Sequence, residues 1–230
     1  MYGTGYRGGM PNRAPEDLVW DEPDAAAAGL TRADVVQAAI DLADAEGLDA
    51  VSIRRVASAL GVRPMALYSH IASKDDLLAL MLHEISGRLL VPEPLPEDWR
   101  EALRQIARHA YDAYVAHPWT LQAFGRGTRV GPNMLRRAEQ SATAVAGLDL
   151  TSADAWIALS VVHEWTMGHA LHVVTLREDA ELAGQLGSAD PADFPRMSQV
   201  FGVGRRQSRD TVFEMALEAV LDGIERRFLA

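Results

Sequence analysis

The sequence predicts an all-α protein, and three observations carry that expectation. From residue 30 onward, apolar residues recur at three- and four-residue spacing, with no sustained two-residue alternation. Helix-start residues Thr31, Ser52 and Ser73 stand just ahead of those runs, and Gly47, Gly61 and a proline cluster stand just behind them. The composition, 48% hydrophobic and 23% charged, is that of a globular chain, and 230 residues leave room for one or two domains with real cores.

Residues 1–29 read as a flexible arm, because Gly3, Gly5, Gly8, Gly9, Pro11, Pro15 and Pro23 break any period. Its tyrosines with Arg7 and Arg13 fit either a late contact with DNA or a plain tail. Gly3-Thr4-Gly5-Tyr6-Arg7-Gly8 matches a dinucleotide fingerprint in letters only, since no strand precedes it. The first helix is predicted over 32–46, with Thr31 and Asp34 as a capping box, Val35, Ala39, Leu42 and Ala43 on one face, and Gly47 as its stop. Ser52 caps a second helix carrying Ile53, Val56, Ala57 and Leu60, and Gly61 ends it. Pro64 suits the first turn of a third helix over 63–70. Ser73 with Asp76 caps a fourth, 74–89, which Pro92, Pro94 and Pro96 terminate. Further helical periods cover 98–116, 132–146, 152–177 and 208–228, while 117–131 and 184–206 read as connections. The division that follows is an arm (1–29), a first domain (30–90) and a second (97–230).

Several function classes are excluded. No apolar run reaches the ~18–20 residues of a membrane span, and no apolar leader opens the chain. The expectation is a cytoplasmic protein with no membrane partner. There are no cysteines, so disulfides and thiolate metal sites are absent. No nucleophile–base motif, phosphate loop or metal quartet is present, which argues against an enzyme, a catalytic residue or a cofactor. His163-Glu164-Trp165-Thr166-Met167 lacks the second histidine of H-E-x-x-H, and His163 points away from His169 and His172 on a helix, so no metal site is expected.

The formal net charge of −10 opposes nucleic-acid binding taken as a sum. Its distribution does not. Residues 52–74 carry Arg54, Arg55, Arg63 and Lys74, the one lysine of the chain, and contain no Asp or Glu. A locally basic strip on an acidic body can face phosphates. Residues 52–70 also fit a helix-turn-helix, with Ala57, Leu60, Val62 and Leu67 beneath and Gly61 closing the turn. Spacing alone fits an ordinary helical pair equally well.

The stretch Gly29–Leu82 resembles the DNA-binding domain of TetR-family transcriptional regulators. The residues that carry the resemblance are Leu30-Thr31, Ala45-Glu46-Gly47-Leu48, Ser52-Ile53-Arg54-Arg55-Val56-Ala57, Leu60-Gly61-Val62, Leu67-Tyr68-Ser69-His70 and Lys74-Asp75-Asp76-Leu77-Leu78. The resemblance implies that Arg54 reaches a base or the backbone, that the Tyr68 hydroxyl and His70 meet the phosphate backbone, and that Lys74 binds phosphate. Arg63, Pro64, Met65 and Ser69 face or flank the groove and vary across the family. Helix 3 lacks the Gln-Pro pair, and the Trp before the histidine, found in the tetracycline-binding members.

His117-Pro118-Trp119, Gly131-Pro132-Asn133-Met134-Leu135, Thr166-Met167-Gly168 and the closing Phe213…Leu217…Gly223-Ile224-Glu225 resemble the tetracycline-repressor-like C-terminal domain. This implies a ligand-binding and dimerisation domain, a homodimer reading double-stranded DNA at a pseudo-palindrome, and release by a small-molecule effector. The alternative is a helical small-molecule-binding or scaffold protein without operator control. Phe213, Leu217, Val220, Leu221, Ile224 and Phe228 form a face wide enough to pack its own domain and a partner together. Ligand candidates are Thr128 and Arg129, in a Gly-Thr-Arg run that borders the family's pocket, with Trp165, His169 and His172 on helix 152–177. The family's metal-binding histidine is replaced locally by Gly125 and Arg126, which opposes a magnesium–tetracycline ligand. Trp99, Trp119, Trp156 and Trp165 point to a mostly apolar effector.

Overall fold

A computed structural model describes residues 29–125, 129–178, 190, 192–196, 199 and 208–229. Thr128, the predicted arm up to residue 28, and most of 184–206 lie outside the described residues. Every element among the described residues is helical.

Helix α1, Arg32–Glu46, starts on the predicted capping box. The Asp34 N–H donates to the Thr31 hydroxyl at 3.1 Å, and the Thr31 N–H donates to the Asp34 carboxylate at 2.9 Å. It stops at Gly47, whose φ of 83° favours glycine. A 3-10 turn, Leu48–Ala50, leads to α2, Ile53–Ala59, where Ser52 accepts the Arg55 N–H. Gly61, with φ 68°, turns the chain. Helix α3 spans Pro64–Leu67, shorter than the predicted 63–70. Beyond Leu67 the backbone tightens: the His70 and Ile71 N–H groups share the Leu67 carbonyl at 2.9 and 3.0 Å, and the Ser69 hydroxyl takes the Ala66 carbonyl at 2.7 Å. Helix α4 then spans Lys74–Arg88. Val35, Ile40, Val56, Ala57, Leu67, Ile71, Leu77 and Met81 are buried together beneath these helices. Leu67→Ala would cost about 2–5 kcal/mol there. Leu60 and Val62 are half-buried at the edge of that core.

The second half comprises α5 (Trp99–Ala116), α6 (Trp119–Gly125), α7 (Pro132–Val145), α8 (Ser152–Glu178) and α9 (Arg209–Phe228). Helix α6 falls where the sequence reads as a connection. At seven residues it is too short for its period to register. Its start is chemical: the Thr120 N–H and hydroxyl both bond the His117 carbonyl, at 3.0 and 2.7 Å. Helix α5 lies mainly against α8, and α8 against α9. Across to α9, Arg100 reaches Glu218, Asp222 and Glu225, Arg104 reaches Glu218, and Arg108 reaches Asp210 and Glu214, one arginine per helical turn.

Two ties join the halves. At the end of α1, the Asp44 carboxylate accepts Trp119 Nε1 at 2.7 Å and meets His117 Nδ1 at 2.8 Å. Along α4, α7 makes a series of polar contacts described below. The apolar face expected of the last helix serves its own protomer: Phe213, Leu217, Leu221 and Ile224 are buried, with Val220 and Phe228 packed against them. The residues left exposed lie on other faces: Val212 and Met215 on α9, with Trp156, Ile157, Val161 and Leu171 on α8. The part of that face that packs its own domain is thus Phe213, Leu217, Leu221 and Ile224, with Val220 and Phe228 half-buried beside them.

Candidate nucleic-acid interface

The turn between α2 and α3 and the start of α4 bring the predicted DNA-contacting residues to one end of the first domain. Arg54, Arg63, Pro64, Met65, Tyr68, Ser69 and Lys74 are all exposed, Met65 at 76% and Tyr68 at 50%. Local chemistry explains why. Pro64 opens α3 where a missing N–H does no harm, and Leu67 alone on this helix is buried, so its other residues face out. Arg54, Arg63 and Lys74 form no ion pair with another described residue, whereas Arg55 is taken by Glu46. Three cations are thus available on a surface whose central 23 residues, 52–74, contain no acid. Lys74 also opens α4, whose N-terminal amides favour an anion. Pro64 and Met65 give the tip an apolar contact of the kind that meets a thymine methyl.

His70 departs from expectation. Its side chain is 2% exposed, packed under the surface, and its carbonyl accepts Arg32 Nε at 3.2 Å. In this conformation the ring is not open to solvent as the other predicted contact residues are. Ile71, next in the chain, is buried as well, at 1%. Nothing in the local spacing distinguishes a buried histidine from an exposed one at this turn.

The described ligand candidates, Arg129, Trp165, His169 and His172, sit in different surroundings. Arg129 is engaged with Asp76 in the first domain. Trp165 and His169 stack, with ring centroids 5.3 Å apart, in a cluster with Tyr111 and Phe213. His172 is exposed. Burial, with the nearby His172 charge adding to it, holds the His169 pKa below the usual imidazole value. Trp119 is core and Trp156 is 74% exposed. No group of three or more His, Asp or Glu suited to a metal occurs among the described residues.

Sequence reasoning missed the residues that do line the interior space. A cavity of about 40 Å³ lies between α5, α7 and α8, bordered by Ile106, Ala110, Leu159 and Val162 with Arg137, Ser141, His163 and Thr166. Burial, reinforced by Arg137, pushes the His163 pKa down. On two of the same helices, but not among the residues that border this cavity, two polar atoms are buried without a hydrogen-bond partner among the described residues: the Tyr114 hydroxyl on α5 and Nε2 of His169 on α8. A larger trough of about 800 Å³, open to solvent, lies outside this interior, between Glu93–Glu97, Trp99 and the outer face of α7.

A basic, acid-free helix-turn-helix carried on a larger helical domain defines a two-domain, DNA-binding transcriptional regulator. Residues 35–81 match the family model described as bacterial regulatory proteins, tetR family, and residues 91–228 match the tetracyclin repressor-like C-terminal domain. The chain belongs to the TetR family of transcriptional regulators. It is 32% identical to the transcriptional repressor DrrR1 of Streptomyces coeruleorubidus, over 97% of this chain and 91% of that one. It is 29% identical to the class A tetracycline repressor from transposon 1721 of Escherichia coli, over 85% and 90%. Among solved structures, ActR of Streptomyces coelicolor in complex with actinorhodin superposes with a TM-score of 0.71 at 28% identity, over 86% and 96%. No helix among the described residues is long and apolar enough to cross a membrane.

Proposed function

We propose that the chain acts as a homodimeric repressor that Arg54, Arg63, Pro64, Met65, Tyr68, Ser69 and Lys74 hold on a pseudo-palindromic operator, and that a small molecule releases it. The observation that carries the DNA half is the set of three exposed cations on the acid-free strip, none of them paired with another described residue. The exposed apolar residues of α8 and α9, Ile157, Val161, Leu171, Val212 and Met215, supply the seam between protomers. Two recognition segments then meet major grooves a whole number of turns apart.

The effector site is the interior between α5, α7 and α8. Its lining is mostly apolar with a few convergent polar groups, the usual make-up of a ligand pocket. The orphaned Tyr114 hydroxyl and His169 Nε2 each carry a desolvation cost of about 1–3 kcal/mol that a polar ligand can relieve. At about 40 Å³ the space is far below the ~300 Å³ of a drug-sized site. Ligand entry therefore parts these helices, and that movement is the switch. ActR has been crystallised with actinorhodin and with (S)-DNPA, which supports an organic effector. A gel shift with DNA from upstream of the protein's own gene tests the operator, and a thermal-shift screen of small molecules repeated in that gel shift tests release. Stabilising compounds that leave the shift unchanged would refute the switch.

A further inference from the structure

Arg129 stands three residues ahead of α7, and its guanidinium pairs with Asp76, a carboxylate only 3% exposed. That same carboxylate closes the N-terminus of α4. Its other oxygen accepts the Ser73 hydroxyl at 2.8 Å, and the Ser73 oxygen accepts the Asp76 N–H at 3.0 Å. Lys74 lies between these two residues, in the turn they define. One buried acid therefore shapes the DNA-facing end of α4 and grips the segment that leads into α7.

The contact continues down the helix pair. Asn133 Nδ2 donates to the His83 carbonyl at 3.0 Å, and it approaches so closely at Gly87 that a Cβ there would stand 2.6 Å from it. Just past α4, Gln140 takes both backbone groups of Val91, accepting its N–H at 3.1 Å and donating to its carbonyl at 2.8 Å. The two helices run in the same direction and are tied at the start, the middle and beyond the end. The adjoining face of α7 presents Arg137 and Ser141 to the interior cavity. A hinge at the proline segment would leave the Lys74 end of α4 free to stay where it is. A tie at that end does not, because a shift of α7 is delivered directly to the turn that holds Lys74.

We infer that Arg129 and Asp76 are positioning residues for DNA recognition: their pair fixes the DNA-contacting end of α4 to α7, and so sets the separation of the two recognition segments from the effector side. The inference rests on the operator reading above. Removing the Arg129 cation takes away the ionic contact between Asp76 and the segment that leads into α7, while the Ser73 hydrogen bonds that shape the start of α4 stay in place.

The test uses the full chain and a duplex that the wild type enriches from random DNA. Arg129→Gln should weaken binding to that duplex by roughly 5–150-fold, the usual range of coupling between sites. It should leave non-specific binding nearly unchanged and broaden the half-site spacing recovered on re-selection. Arg129→Lys, which keeps the charge, should restore both. A purely structural role would lower the folded fraction without changing the preferred spacing. In the free protein, amide hydrogen exchange at residues 76–78 should quicken in Arg129→Gln while α8 is unchanged. Unaltered affinity and spacing in Arg129→Gln would overturn the inference, as would unaltered exchange at the start of α4. If the wild type enriches no duplex, the operator reading fails, and the exchange measurement still decides whether Arg129 holds α4.

Discussion

Lys74→Ala probes the DNA face with a quantity that can be worked out beforehand. Arg54, Arg63 and Lys74 are exposed and pair with no other described residue, so a dimer offers twice that set to the duplex. If all of them neutralise phosphates, the logarithm of the binding constant falls with the logarithm of salt concentration at a slope of about −5.4. Raising salt from 50 to 200 mM then weakens binding roughly 1,800-fold. The variant loses one contact per half-site, two per dimer, which flattens the slope by nearly two, to about −3.6, and cuts the salt effect to roughly 150-fold. Fluorescence anisotropy of a labelled operator duplex at four salt concentrations measures both slopes. Non-specific DNA should show the same flattening, because a phosphate contact carries no sequence information. Equal slopes for wild type and variant would show that Lys74 does not meet a phosphate, and the reasoning from its exposure would fail.

Leu171→Glu on the exposed face of α8 should produce a folded monomer at micromolar concentration by sedimentation, because the new charge would be buried only between protomers; an unchanged dimer would move the seam elsewhere. Leu217→Arg should instead unfold the protomer, since Leu217 is fully buried within it. The His83, His163 and His169 pKa values are all pushed down, chiefly by burial. Each histidine thus contributes its full stability above the unfolded value of about 6.5 and loses it as pH falls through the lowered native value, so melting temperature should hold at pH 7–8 and drop from about pH 6.5 downward. Glu218, held below the usual carboxylate range by its hydrogen bond to Arg104, should add a second loss only below about pH 4.5. Glu218→Gln should cost about 1 kcal/mol or less, because the side chain is well solvated, lowering the melting temperature by a few degrees; a loss that persists in 1 M salt would contradict an ionic origin.

The fold was legible wherever a local signal carried it. Thr31, Ser52 and Ser73 marked helix starts because their hydroxyls satisfy amides within the same turn, and Gly47 and Gly61 marked stops because the turn demands a positive φ. Helix α6 escaped because seven residues give no period, and its start depends on the His117 carbonyl. The family pattern names the members of the DNA face, but it does not show that His70 is buried while its neighbours are exposed, because burial at a turn depends on packing from distant residues. Arg129 illustrates the same limit. Its run points to the family's pocket, yet its charge is claimed by Asp76, 53 residues earlier, and the sequence does not show that pairing. The cavity lining was illegible for a similar reason: Ile106, Ser141 and Thr166 become neighbours only when three helices meet.

The central claim is that the chain reads DNA as a symmetric dimer through α2, α3 and the start of α4. Selection of bound duplexes from a random pool by the full-length protein, followed by sequencing, tests this most directly. Enrichment of two inverted half-sites whose centres lie about 10 base pairs, or a multiple of that, apart is the predicted result. Recovery of a single asymmetric site, or of no shared sequence, would contradict it.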